Sequence, residues 1–189
     1  MEIKPISVGI PTSHMDYFAS AQINSQWCWA ASIKMVMNFY GIAISQRQIV
    51  QRTYGVDHNG NLPNWPATYK TIHNMLNNWK FTYNGAKYTV KANIGLGRPN
   101  HIWLINELNS QRPVIVTYET GPSTGHAVVL TGLSFEIKSI KPATITVNKL
   151  AYRDPWPNTA NIENKGRRVV SGLFANKIEA FWSVRVIKH

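Results

Sequence analysis

From Gln22 to Tyr40 the chain reads Q-I-N-S-Q-W-C-W-A-A-S-I-K-M-V-M-N-F-Y, and from Trp27 onward the run is apolar on nearly every side of a helix. A helix without a polar face must be buried, with other elements packed around it. Ser25 is positioned to cap its start and Gly41 to stop it. The only cysteine of the chain, Cys28, falls where loop becomes helix. A sulfur there faces unpaired backbone N–H groups and the positive end of the helix dipole, which favours a nucleophilic thiolate. Six positions earlier stands Gln22, whose side-chain amide can donate to an oxyanion beside the sulfur. Cysteine alone also reads as a small buried hydrophobe, so catalysis requires a histidine and an orienting group elsewhere.

The rest of the chain divides by pattern. Residues 1–21, with Pro5 and Pro11, read as an extended lead-in. Ser45-Gln46-Arg47-Gln48 is a capping box ahead of Ile49, Val50 and Tyr54. Pro66 suits the first turn of a third helix, with Tyr69, Ile72, His73, Leu76 and Trp79 at helical spacing. Asn93 to Pro99 reads as loop, and Asn100 as the cap of a fourth helix through Ile102, Ile105 and Leu108. Strand patterns then take over at 113–118, 126–131, 143–150, 169–174 and 181–187, with a turn-rich loop from Gly121 to Gly125. Helices followed by an antiparallel sheet define an α+β class. At 189 residues, without repeats or a sharp change of composition, residues 1–189 are expected to form a single domain.

Of six histidines, only His126 follows a glycine-containing loop and opens an apolar strand. That arrangement puts an imidazole at a sheet edge, held rigidly and facing a cleft. His14, His58, His73, His101 and His189 fall in a lead-in, a polar loop, an apolar helix face, a first helical turn and the C-terminus. A third group is needed to orient the imidazole and stabilise its charged form. Of three aspartates, Asp154 follows the strand after His126, where an antiparallel hairpin returns it to the same end of the sheet. Asn148 is a weaker alternative. Asp154-Pro155 is equally a turn signal.

Gln22, Trp27-Cys28-Trp29-Ala30-Ala31-Ser32, Gly125-His126-Ala-Val-Val-Leu-Thr-Gly132 and Asp154-Pro155, in that order, resemble the papain-like cysteine proteases. Among these the bacterial branches look nearest: the AvrRpt2-like effector proteases and the bacteriocin-processing C39-like peptidases. The resemblance implies a two-lobed papain-like fold. A helical lobe of about residues 20–110 would carry the cysteine, and a β lobe of about 111–189 the histidine and aspartate. It implies Cys28 as nucleophile, His126 as general base and acid, Asp154 as orienter, and Gln22 with the Cys28 N–H as oxyanion hole. The 28 positions from His126 to Asp154 imply an extended hairpin near Ser134–Pro142. Trp27 and Gly125 are candidate substrate contacts, with Trp156 a further one; Trp29 reads as core.

Composition bounds the partners. One cysteine excludes an intramolecular disulfide and a multi-cysteine metal site, and no cofactor or metal is expected. No apolar run reaches transmembrane length and no classical signal peptide is visible, so membrane partners are not expected. Twenty Lys+Arg against nine Asp+Glu give a net charge of +11. The basic residues are dispersed apart from short clusters such as Lys165-Gly166-Arg167-Arg168, which favours steering of an acidic or nucleic-acid-associated protein substrate over direct nucleic-acid binding. The resemblance implies an endopeptidase acting as a bacterial effector or toxin, expected to be a monomer. It would leave the producing cytoplasm through a specialised secretion system, reach a target-cell cytosol and be matched by a cognate inhibitor (immunity) protein. The alternatives are an amidase or deamidase on the same fold, against which the lack of cell-wall-binding repeats argues, and an inactive binding module, against which the complete Gln/Cys/His/Asp set argues.

Overall fold

A computed structural model describes residues 4–122, 124–140, 143–157 and 164–189. In chain order its elements are β1 (Ile6–Gly9), α1 (Thr12–Phe18), α2 (Cys28–Phe39), α3 (Gln46–Tyr54), α4 (Tyr69–Asn77), β2 (Lys80–Tyr83) and β3 (Ala86–Leu96). There follow α5 (His101–Asn109), β4 (Val114–Gly121), β5 (Thr124–Ile140), β6 (Ala143–Arg153), β7 (Arg167–Ser171), a 3-10 turn (Gly172–Lys177) and β8 (Ile178–Lys188).

The strands form one antiparallel sheet in the order β2-β3-β8-β4-β5-β6-β7. β4 pairs with β5 as far as Leu130, and β1 takes over along β5 from Gly132 to Phe135. Both faces of the central strands are covered. Ile115, Ala127, Val129 and Trp182 pack into a core shared with α2, α3 and α4, while Val114, Val116, Val128 and Leu130 pack into a second core with α5. This explains why Val114-Ile-Val116 is an unbroken apolar run: its neighbours in sequence enter different cores.

Helix α2 is buried as its sequence requires, with Trp29, Ala30, Ile33, Met35, Val36 and Met37 at most 1% exposed. Burying each of its larger side chains stabilises the fold by about 1.5–3 kcal/mol. Gly41, at φ +83°, ends it. Ser25 does not cap it: the residue before the helix is Trp27, without a side-chain cap, and the Ser25 hydroxyl accepts instead from Asn64 Nδ2 at 2.9 Å. The capping box at Ser45 is formed in full, and Asn100 caps α5 through Ile102 and Trp103. α4 starts later than Pro66 implies, because Thr68 takes the cap.

Three sequence expectations are corrected. The lead-in holds a helix, α1, with one buried side chain, Met15, and no side-chain cap of its own. The segment from Asn93 to Leu96 is strand, not loop. Gly95 suggests a turn, yet a Cβ there would lie 2.0 Å from the Phe181 ring that packs over it from β8. The half expected to be helical also contributes β2 and β3, which join the shared sheet through β8. What stands is a mixed fold: a large antiparallel sheet flanked by helices.

Candidate active site

Cys28 opens α2, so its N–H has no acceptor within the helix. It is half-buried and lines a cleft of about 350 Å³ with Gln26, Thr117, Gly125, His126, Ala127 and Glu179. The other wall is Pro66, Ala67, Thr68, Tyr69 and Ile72. The segment that leads into this wall, Pro63 to Trp65, is fastened around Cys28. Trp27 Nε1 donates to the Pro63 carbonyl at 3.0 Å, Gln26 N–H to Asn64 Oδ1 at 3.0 Å, and Trp29 Nε1 to the Trp65 carbonyl at 3.2 Å. The two tryptophans flanking Cys28 therefore hold the wall in place. Trp27 is fully buried and lies outside the cleft lining, so the candidate substrate contact at this position is corrected to a core support. Gly125 does line the cleft.

His126 lies near the start of β5, opposite Tyr118 of β4. Asp154 follows β6 directly, and the pairing of Val129 with Arg153 returns it to the histidine's end of the sheet. The long hairpin implied by the 28-position spacing is thus real, running through three register shifts between β5 and β6. His126 Nε2 and Asp154 Oδ1 are 2.8 Å apart. Asp154 Oδ1 also accepts from the Trp156 N–H at 2.9 Å, and Oδ2 from Arg168 Nε at 3.0 Å. Burial draws the Asp154 carboxyl upward, but these hydrogen bonds and the nearby positive charges hold it below the usual carboxylate range. Asn148 is not an alternative orienter; its Nδ2 donates to Glu136 at 3.1 Å.

Burial alone would push the His126 imidazole down. Hydrogen bonds to Asp154 and to the Cys28 sulfur outweigh it and hold the group at about 9. The ring is framed edge-on by Tyr118 and Trp156, with centroids at 5.8 and 6.4 Å. With Nε2 facing the carboxylate, the other ring nitrogen is left for the sulfur.

Gln22 is buried, and its Nε2 donates to the carbonyls of Asn24 (3.0 Å) and Ser25 (2.9 Å). Turning the amide over would set its oxygen against both carbonyls, so the nitrogen's position follows from the bonds. An oxyanion would have to replace one of these acceptors. The loop itself is held by Gln46 of α3, which sequence reasoning saw only as part of a cap. Its amide donates to the Ala21 carbonyl at 2.6 Å and accepts from the Ile23 N–H at 3.1 Å, bracketing Gln22. The Gln22 N–H donates to the Pro155 carbonyl at 2.7 Å, which ties this loop to the aspartate segment. Arg153, 1% exposed, bonds Asp16 at 2.6 Å and the Thr12 carbonyl at 3.1 Å, fixing α1 behind the site. Among the described residues no three His, Cys, Asp or Glu side chains cluster so as to hold a metal ion.

Solved structures share this architecture. The peptidase domain of Streptococcus ComA, a bifunctional ABC transporter involved in a quorum sensing pathway, superposes with a TM-score of 0.56 at 15% identity, over 87% of this chain and 95% of that one. A double glycine motif protease from an AMS/PCAT transporter, in complex with a leader peptide, gives 0.51 at 16% identity, over 97% and 98%. At such identities the likeness is one of fold. No curated protein matches the sequence. Of the two branches that the motifs resemble, the match falls on the C39 side: the model of the Peptidase_C39 like family spans residues 14–185, and the chain belongs to that family, as a cysteine peptidase.

Proposed function

We propose that the chain is a cysteine endopeptidase in which Cys28 is the nucleophile, His126 its general base and acid, Asp154 the orienter, and Gln22 with the Cys28 N–H the oxyanion donors. The observation that carries this is the 2.8 Å His126–Asp154 pair in one cleft with the chain's only cysteine. The Cys28 sulfur attacks the scissile carbonyl, and negative charge develops on its oxygen near the start of α2. Gln22 exchanges a loop carbonyl for that oxygen. The C–N bond breaks as His126 gives its proton to the departing amine, leaving an acyl thioester. Water then attacks, His126 takes its proton, and the C–S bond breaks to release the acid, returning the Cys28 sulfur and protonated His126 to their starting state.

Residues 1–189 are read as one peptidase domain, a reading supported by the single sheet drawn from both halves. The substrate is a specific protein or peptide segment, a reading supported by the leader peptide held by the double glycine motif protease. The wider role is that of an exported bacterial effector or toxin, acting as a monomer in a target-cell cytosol and restrained by an inhibitor protein at the cleft mouth. Motif likeness to effector proteases supports it.

The test is to express wild type and Cys28→Ala in a bacterial cytosol and map new protein N-termini. A few cleavages present only with wild type establish the endopeptidase and name its substrate. Toxicity without new N-termini points to an amidase or deamidase. Identical behaviour of both proteins makes Cys28 structural and removes the mechanism.

A further inference from the structure

We propose that Glu179 is a specificity-determining residue that accepts a basic side chain of the substrate next to the scissile bond. The proposal rests on the peptidase reading of the cleft. Glu179 owes its position to a defect in the sheet. β4 and β8 pair Thr117 with Ala180, but the next pair is Tyr118 with Ile178, so Glu179 is an extra, unpaired residue on β8. The cores record the same break. Ala180, Trp182 and Val184 face the α2 side, whereas Ile178 packs into the opposite core. In a regular strand Ile178 and Ala180 would share a face. A bulge of this kind re-aims a side chain, and here it sends a carboxylate into the cleft that holds Cys28 and His126.

The carboxylate is open to a ligand. Glu179 is exposed and makes no ion pair among the described residues, in a chain with twenty Lys+Arg for nine Asp+Glu. Its backbone is fixed, since the carbonyl accepts from the Gly97 N–H at 2.7 Å. Its Oε2 lies 4.0 Å from where a Cβ of Gly125 would stand, one residue from His126. The absent side chain at 125 leaves that space to the substrate. The remaining lining is neutral or apolar apart from the catalytic pair. Pro66, Ala67, Tyr69 and Ile72 can cover the aliphatic stem of Lys or Arg while its charged head meets Glu179.

Two readouts test this on the intact chain. In the first, a proteome-derived peptide library is digested with wild type, Glu179→Gln and Glu179→Lys, and the cleavage sites are read by mass spectrometry. Wild-type sites should be enriched in Lys or Arg at one fixed position near the cut. Glu179→Gln should lower kcat/KM on such peptides about tenfold relative to neutral ones, the size expected for a charge-assisted hydrogen bond. Glu179→Lys should favour Asp or Glu there. Absence of basic enrichment in wild type, or its survival in Glu179→Gln, overturns the proposal. In the second, Cys28 is modified by a cationic and an anionic methanethiosulfonate reagent. As the chain's only cysteine it reports alone. The cation-to-anion rate ratio should fall severalfold in Glu179→Gln. If no peptide is cut, the peptidase reading fails and this ratio decides: a fall retains an acidic subsite, and an unchanged ratio overturns it.

Discussion

The imidazole of His126 is where one side chain's surroundings set the chemistry. Its value of about 9 lies above the ordinary 6.5, so its contribution to stability is complete below pH 6.5 and lost as pH rises through about 9. Asp154 runs the other way. Held below its ordinary range, it stabilises the fold above that range and ceases to as pH falls through its lowered folded value. If catalysis uses an imidazolium beside the sulfur, activity should show an alkaline limb near pH 9. Asp154→Asn should move that limb down and cost at least about tenfold in kcat/KM. A limb that stays in place would mean the carboxylate does not govern the ring's charge. That Cys28, His126 and Asp154 come together was legible because their residue types and order fit one candidate site. Arg168 was legible only as part of a basic cluster. Its bond to Asp154 depends on β6 and β7 pairing Tyr152 with Arg168, which no local pattern announces.

Between elements, the decisive bonds join loops that are distant in sequence. Gln46 brackets Gln22 from α3. Gln46→Ala should leave the Ala21 carbonyl and Ile23 N–H unpaired and destabilise the fold by about 1–3 kcal/mol. It should also lower kcat more than it raises KM, since Gln22, the proposed oxyanion donor, loses its support. A fall in Tm with kcat intact would confine Gln46 to the fold. Trp27→Phe, which removes the bond to the Pro63 carbonyl and part of a fully buried ring, should loosen the opposite wall. The measurement is a severalfold rise in KM for a peptide substrate with kcat little changed; an unchanged KM would show that the Trp27 indole does not hold the wall. Local signals located the capped helices α3 and α5 well. They failed for α1, which Arg153 holds in place through Asp16, and for β3, where Gly95 answers to the Phe181 ring. The hairpin turn Asn84-Gly85, with both residues at positive φ, was the available clue to β2 and β3.

Across the molecule, the order of helices then strands was read correctly for α2 to α5 and β4 to β8, but the division into two chain-contiguous halves was not. β8, last in sequence, lies between β3 and β4, so the sheet becomes continuous only when the C-terminal strand is in place. Sequence patterning reports which face of an element is apolar and is silent on which distant strand becomes its neighbour. Net charge, by contrast, belongs to the whole molecule and is read directly: +11. Dispersed charge of one sign raises encounter rates with a partner of the other sign, and salt screens it over a Debye length of about 8 Å at physiological strength. Glu179 adds a local term of opposite sign inside the cleft, so the two act on different parts of a substrate. An acidic protein carrying a basic residue at the cut satisfies both. Its cleavage should fall with added salt more steeply than that of a short neutral peptide, and the loss should appear in kcat/KM rather than kcat. The comparison is kcat/KM for both substrates from low to physiological salt in wild type and Glu179→Gln. A steeper slope for the protein that persists in Glu179→Gln assigns the effect to the overall charge. Equal slopes for protein and peptide would remove steering and leave recognition to the cleft alone.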